Sequence, residues 1–206
     1  MKPVTTTTTQ FIPVTSSHLG QFNTASGRTI DLRNPSEDQI DIEDIAAALS
    51  RICRFGGHGN NFYSVAQHSV LLMHLVRRSS QLQGIEIEAL LHDAAEAYLG
   101  DVISPLKHLL GASYKTLETN FETVLAQKFG LRMHSPIKDA VKAADIEALK
   151  LEHEALIMGN PGPLVAAMSE FDLTSDLRWA WHPEWAEQAF LVHFRASYDT
   201  RNWLID

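Results

Sequence analysis

Apolar positions recur at helical spacing along most of this chain and divide it into successive amphipathic segments. Ile40, Ile42, Ile45, Ala46, Leu49 and Ile52 form one stripe, predicting a helix ahead of Arg54 that Gly56, Gly57 and Gly59 stop. A second helix is predicted from Ser64 through Val65, His68, Leu72, Leu75 and Val76, and a third over 86–99, closed by Gly100. Ser104-Pro105 marks 101–110 as a crossing loop, and Leu117, Phe121, Val124 and Leu125 predict a helix over 114–129 that Gly130 ends. After Ser135-Pro136, the positions Ile137, Val141, Ala144, Asp145, Ala148 and Leu149 predict a long helix reaching about Met158. Asn160-Pro161-Gly162-Pro163 then breaks the chain, and 184–198 reads as a last helix.

The start is different. Residues 1–21, with threonines at 5–9, lack helical periodicity and read as a flexible arm, while 24–32 is expected to form a short extended element before Asn34-Pro35-Ser36. No internal repeat and no strand-helix alternation is visible, so the expected class is all-α. The organisation is one helical bundle over 38–206, with the arm and extended element in 1–37.

Composition narrows the function classes. A chain of 206 residues, 45% hydrophobic, can bury one sizeable core. Lys and Arg total 17 against 25 acidic residues, and the net charge of -8 argues against a polyanion-binding surface, hence against a nucleic acid polymer as partner. Cys53 is the lone cysteine, which excludes an intramolecular disulfide, and no long apolar run suggests a membrane span. The expected setting is cytoplasmic. The aromatic C-terminal part, with Trp179, Trp181, Trp185 and Trp203, exceeds what a minimal bundle needs and is read as serving a homo-oligomer.

The candidate chemistry lies on the apolar segments. His92-Asp93 sits within a run from Leu90 to Asp101 that otherwise reads as core, and burying two such groups without partners costs several kcal/mol, roughly. A divalent cation satisfies both. His68, His92, Asp93 and Asp145 occupy three predicted helices that can converge on one ion. Two imidazoles and two carboxylates suit Co, Mn, Mg, Zn or Fe and leave positions open for water and a substrate oxygen. Glu96 lies one turn beyond His92, and Asp101 follows Gly100; either carboxylate can act as the base or acid beside the ion, with Glu96 preferred. The remaining histidines form no matching set, which favours one metal over a di-iron centre.

Ala66-Gln67-His68-Ser69, Leu91-His92-Asp93-Ala94 and Lys142-Ala143-Ala144-Asp145 resemble the H…HD…D order of the HD-domain phosphohydrolase superfamily. His92-Asp93-x-x-Glu96, followed by Gly100-Asp101-x-x-Ser104-Pro105-x-Lys107, is similar to YfbR-type 5'-deoxyribonucleotidases and phage dATP triphosphohydrolases. The resemblance implies an all-α fold, a divalent metal on His68, His92, Asp93 and Asp145, and Glu96 and Asp101 as catalytic carboxylates. It also implies substrate contacts from Arg54 and Phe55, the first through forked donors to phosphate and the second through a stacking face. Lys107 is a second phosphate clamp. The expected activity is hydrolysis of a 2'-deoxynucleotide, favoured as triphosphate release from a dNTP because the arm and the Gly-Gly-His-Gly loop can enclose a longer phosphate chain. Phosphate release from dNMPs is the close alternative, and alarmone hydrolysis a more distant one. Loss of a ligand or of Glu96 would have pointed to a nucleotide sensor; all are present.

Overall fold

A computed structural model describes residues 19–203 except 81, 83 and 171–178. The threonine-rich part of the expected arm, up to residue 18, lies outside the described residues. Immediately after it, β1 (Gln21–Asn23) and β2 (Thr29–Asp31) pair antiparallel with Phe22 opposite Ile30. The single extended element expected over 24–32 is therefore the turn and second strand of a hairpin, with Gly27 at φ 85° in the turn. This hairpin is docked. Ile30 is fully buried, and the nearly buried Asp44 accepts bonds from Thr24 Oγ1 (2.7 Å), Ser26 N (2.7 Å) and Ser26 Oγ (2.6 Å).

Asp44 belongs to α1 (Ile42–Leu49), whose N-cap Asp41 accepts from Glu43 N at 2.9 Å. The stripe predicted from Ile40 to Ile52 overruns this helix at both ends, because a 3₁₀ turn at Glu37–Gln39 precedes it and turns follow it. In α2 (Val65–Ser79), capped by Ser64 accepting from Gln67 N, every residue from Val65 to Val76 is buried. A helix covered on all sides is the centre of the fold. It packs against α3 (Glu86–Leu90), α7 (Ile137–Leu156) and α9 (Pro183–Trp203). Its buried Gln67 is bonded at both ends of the amide: Oε1 accepts from Trp181 N at 2.9 Å and the amide nitrogen donates to Trp179 O.

Three elements differ from the sequence reading. The helix expected over 86–99 is broken: α3 stops at Leu90, and α4 (Glu96–Leu99) begins after a tight turn. In that turn Ala94 N bonds Leu91 O and Glu96 N bonds Asp93 O, the i to i+3 pattern that tightens the chain. The loop expected over 101–110 contains α5 (Ser104–Leu110), with Pro105 in the first turn, where its missing N–H costs nothing. Similarly, Pro163 lies in the first turn of α8 (Gly162–Glu170), a helix the Pro-Gly-Pro signal concealed. The expected helices at 114–129 and from 137 to about Met158 correspond to α6 (Ala112–Phe129), ended by Gly130 at φ 61°, and to α7.

The described residues form one mostly helical body: nine helices and a two-stranded sheet around a continuous core. Phe121 of α6, fully buried, stacks on Tyr98 of α4 at 4.8 Å, an arrangement that adds about 0.5–1.5 kcal/mol beyond its buried area. Trp181 is buried and Trp179 packs on the core, both joined to α2 through Gln67, whereas Trp185, beside Trp181, is exposed. The side chain of Trp203 lies outside the described residues. No helix among the described residues is long and apolar enough to cross a membrane.

Candidate functional site

The turn between α3 and α4 determines where His92 and Asp93 point. His92 Nδ1 lies 2.8 Å from Ala89 O, so it donates to that carbonyl and leaves Nε2 as a bare acceptor. From α2, His68 Nδ1 lies 2.7 Å from Glu152 Oε1 on α7 and donates in the same way. The two Nε2 atoms therefore face each other as lone pairs at 3.3 Å. Two acceptors at that distance repel unless a cation or proton lies between them.

Carboxylates complete the enclosure. Asp93 Oδ2 is 3.0 Å from His92 Nε2 and 3.6 Å from His68 Nε2, while Asp145 Oδ1 on α7 is 3.6 and 4.0 Å from His68 and His92. Ligands about 2.0–2.2 Å from one ion stand about 3.0–3.6 Å apart at tetrahedral or right angles, so this spacing suits a single bound cation. His68, His92 and Asp145 each offer an atom within 4.8 Å of the others and can hold a metal ion. Burial works against charge here, yet the His92 pKa is raised by Asp93 and Asp145, and that of Asp93 is held far below the usual carboxylate range by His92, His68 and Arg54. Asp145 is likewise held low against its burial, first by Lys142, whose Nζ lies 2.7 Å from Oδ2.

The two carboxylates Asp93 and Asp145 form one wall of a cleft of about 380 Å³ whose lining includes Arg54, Phe55, Glu96, Asp101, Lys107 and Lys142. Each reached the cleft by a local device. Arg54 and Phe55 follow a one-residue bridge, with Arg54 N on Tyr63 O (2.9 Å) and Val65 N on Ile52 O (3.0 Å) pinching the loop closed. The loop is pinned to the end of α7 by Asn60 N on Leu156 O, and Gly59 packs so tightly there that a Cβ would stand 3.3 Å from Leu156. Phe55 sits at φ 56° and ψ 28°, a left-handed conformation costly for an aromatic residue, and its ring lies 5.8 Å from the Arg54 guanidinium carbon. Glu96 opens α4, and Asp101 follows Gly100, which ends that helix at φ 78°.

Glu96 is nearly buried, its Oε2 has no hydrogen-bond partner, and Lys107 Nζ lies 3.5 Å from Oε1. Burial and then the neighbouring Asp93 and Asp101 carboxylates push its pKa up to about 9. Burial likewise raises Asp101, against the pull of Arg54, whose Nη1 is 3.7 Å away. Lys107 is bonded to Glu118 at 3.1 Å, and Glu96 and Glu118 raise its pKa against burial. Around the cleft, carboxylates outnumber the cations Arg54, Lys107 and Lys142, an excess that a divalent ion would balance. A second cavity of about 340 Å³ shares Asp93, Lys142 and Asp145 with it and reaches His92, but is otherwise lined mainly by apolar groups such as Leu125, Leu131 and Val141. Glu96 and Asp101 line the first cavity alone.

The structure thus brings His68, His92, Asp93 and Asp145 to one point and places Glu96, Asp101, Arg54, Phe55 and Lys107 along the adjoining cleft. Sequence reasoning missed Glu152, which is fully buried and bonded to both His68 and Arg54. A signal was present: Glu152 lies on the buried stripe of α7 with Ala144, Ala148 and Ala155, where an unpartnered acid is not tolerated.

No family model matches the chain. It is 46% identical over 121 residues to the uncharacterized protein YfdR of Escherichia coli K12, a match covering 58% of this chain and 65% of YfdR. It is 38% identical over 156 residues to the uncharacterized protein RCAP_rcc00048 of Rhodobacter capsulatus, covering 68% of this chain and 80% of that protein. At that identity and coverage, the chain belongs to the same family as RCAP_rcc00048.

Proposed function

We propose that this protein is an HD-domain phosphohydrolase that cleaves 2'-deoxynucleotides with one divalent metal held by His68, His92, Asp93 and Asp145. The observation that carries the reading is the pair of Nε2 lone pairs 3.3 Å apart, fixed by Nδ1 donation on both rings and flanked by Asp93 and Asp145, which line a cleft with an unpartnered Glu96 oxygen. A bound ion would supply Lewis acidity toward the phosphoryl group and an acidified water. The chain's own residues do the rest. Arg54 directs Nη1 between Asp93 and Asp101, where it can take a phosphate oxygen, and Lys107 offers a second positive charge. Glu96, protonated at neutral pH, donates from its free oxygen to the leaving group, with Asp101 beside it. Phe55 offers a ring face to sugar or base.

Among dNTP and dNMP substrates, the sequence favours triphosphate release from a dNTP of the dATP type. One structural observation favours the 5'-deoxyribonucleotidase reading instead. The cleft's cations Arg54, Lys107 and Lys142 each already contact a carboxylate, which leaves little positive charge for a full triphosphate. Incubating protein loaded with Mn²⁺ or Co²⁺ with dNMPs, dNTPs and their ribose counterparts, and separating phosphate from triphosphate, decides between them. Triphosphate as the product supports the first reading and phosphate from dNMPs the second. No turnover of any deoxynucleotide with metal bound overturns both. Ile103, Leu106, Leu109 and Leu110, exposed on and beside α5, support self-association in a cytoplasmic enzyme of this kind.

A further inference from the structure

Glu152 lies below the cleft on α7, fully buried, and its two oxygens serve different partners. Oε1 is 2.7 Å from His68 Nδ1, whereas Oε2 accepts from Arg54 Nη2 at 3.1 Å and Nε at 3.3 Å. Both partners are donors, so only a group with two acceptor ends fits between them. We propose that Glu152 is the positioning residue of the site, holding the His68 ring with Nε2 toward the metal and the Arg54 fork with Nη1 toward the substrate phosphate. The inference rests on the metal-dependent reading above and assigns this buried carboxylate a joint role in it.

The geometry makes the role specific. With Nδ1 donating to Oε1, the other ring nitrogen of His68 is an acceptor and faces His92 Nε2, Asp93 and Asp145. With Nε and Nη2 occupied by Oε2, the guanidinium cannot rotate, and the remaining Nη1 stands 3.8 Å from Asp93 and 3.7 Å from Asp101 at the cleft wall. A glutamine at 152 has nearly the same shape but one donor end. That end either faces the Arg54 donors or bonds His68 Nδ1, and in the second case the ring proton moves to Nε2, where it blocks a metal.

Calorimetric titration of wild type and Glu152→Gln with Mn²⁺, then with inorganic phosphate in the presence of Mn²⁺, tests the assignment. The expected result is Mn²⁺ affinity lower by about 10–100-fold, together with weaker phosphate binding and an unchanged far-UV circular dichroism spectrum. Equal Mn²⁺ affinity in the two proteins overturns the role toward His68, and equal phosphate affinity overturns the role toward Arg54. A wild-type protein that binds no Mn²⁺ overturns instead the metal reading beneath the proposal. Should the variant not fold, the ¹⁵N spectrum of the wild-type protein loaded with Zn²⁺ decides: His68 is expected to bind through Nε2 with a proton on Nδ1, and the reverse assignment overturns the proposal.

Discussion

Asp93→Ala is expected to reduce both bound metal and deoxynucleotide hydrolysis to background. Asp93 is the carboxylate nearest the facing Nε2 atoms, 3.0 Å from His92 Nε2 and 3.6 Å from His68 Nε2, and it also stands 3.8 Å from Arg54 Nη1. Its removal leaves two facing lone pairs with Asp145 alone to balance a divalent charge, and Asp145 already shares an oxygen with Lys142. Losing a ligand from so small a donor set removes the charge and geometry the ion requires. The measurement is metal content by mass spectrometry alongside product release. Full activity with a full complement of metal refutes the assignment.

The second large effect is at Glu96. Glu96→Gln keeps the shape and a donor, but an amide cannot give up a proton to a leaving oxygen, so kcat is expected to fall by about 10²–10⁴-fold with metal binding retained. Burial, then Asp93 and Asp101, hold this carboxyl at about 9 in the metal-free protein, well above its unfolded value. With Glu96 as the proposed acid the active form is the protonated one, and wild-type activity is expected to decline on the alkaline side. A cation beside Asp93 weakens that repulsion and brings the decline below pH 9. For folding the sign is equally defined. The folded state binds a proton that the unfolded state releases near pH 4.5, so the Glu96 contribution to metal-free stability is complete below that pH and is lost as pH rises toward 9. Glu96→Gln should flatten both profiles. A variant with wild-type kcat and an unchanged alkaline limb excludes Glu96 as the acid.

Sequence periodicity located the long helices because their burial is one-sided or complete: α6 and α7 carry stripes of Phe121, Leu125 and Phe129, and of Ala144, Ala148 and Ala155. It failed where short-range hydrogen bonding overrode the stripe. Residues Leu91 to Ala95 are as apolar as a helix needs, yet the i to i+3 bonds there let His92 and Asp93, adjacent in the chain, face one point; on a regular helix neighbours diverge by about 100°. The candidate ligands were legible through residue type and order. Glu152 was legible only as an acid on the apolar stripe of α7; its partners His68 and Arg54 lie far from it in the chain and meet it only in the fold. The position of Arg54 was legible, but its engagement with Glu152 depends on the pinched loop and on α7, separated by 98 positions along the chain.

The candidate ligands come from α2, the α3–α4 turn and α7, three segments that pack on one another around the core. An ion seated among them would be a tertiary cross-link, and its binding free energy would add to that of folding. At a hundredfold excess over its dissociation constant the gain is about 2.7 kcal/mol, or roughly 5–10 °C in melting midpoint for a chain of this size. Heat resistance measured across Mn²⁺, Co²⁺, Mg²⁺, Zn²⁺ and Fe²⁺ thereby ranks the cations by affinity, without any substrate in the tube.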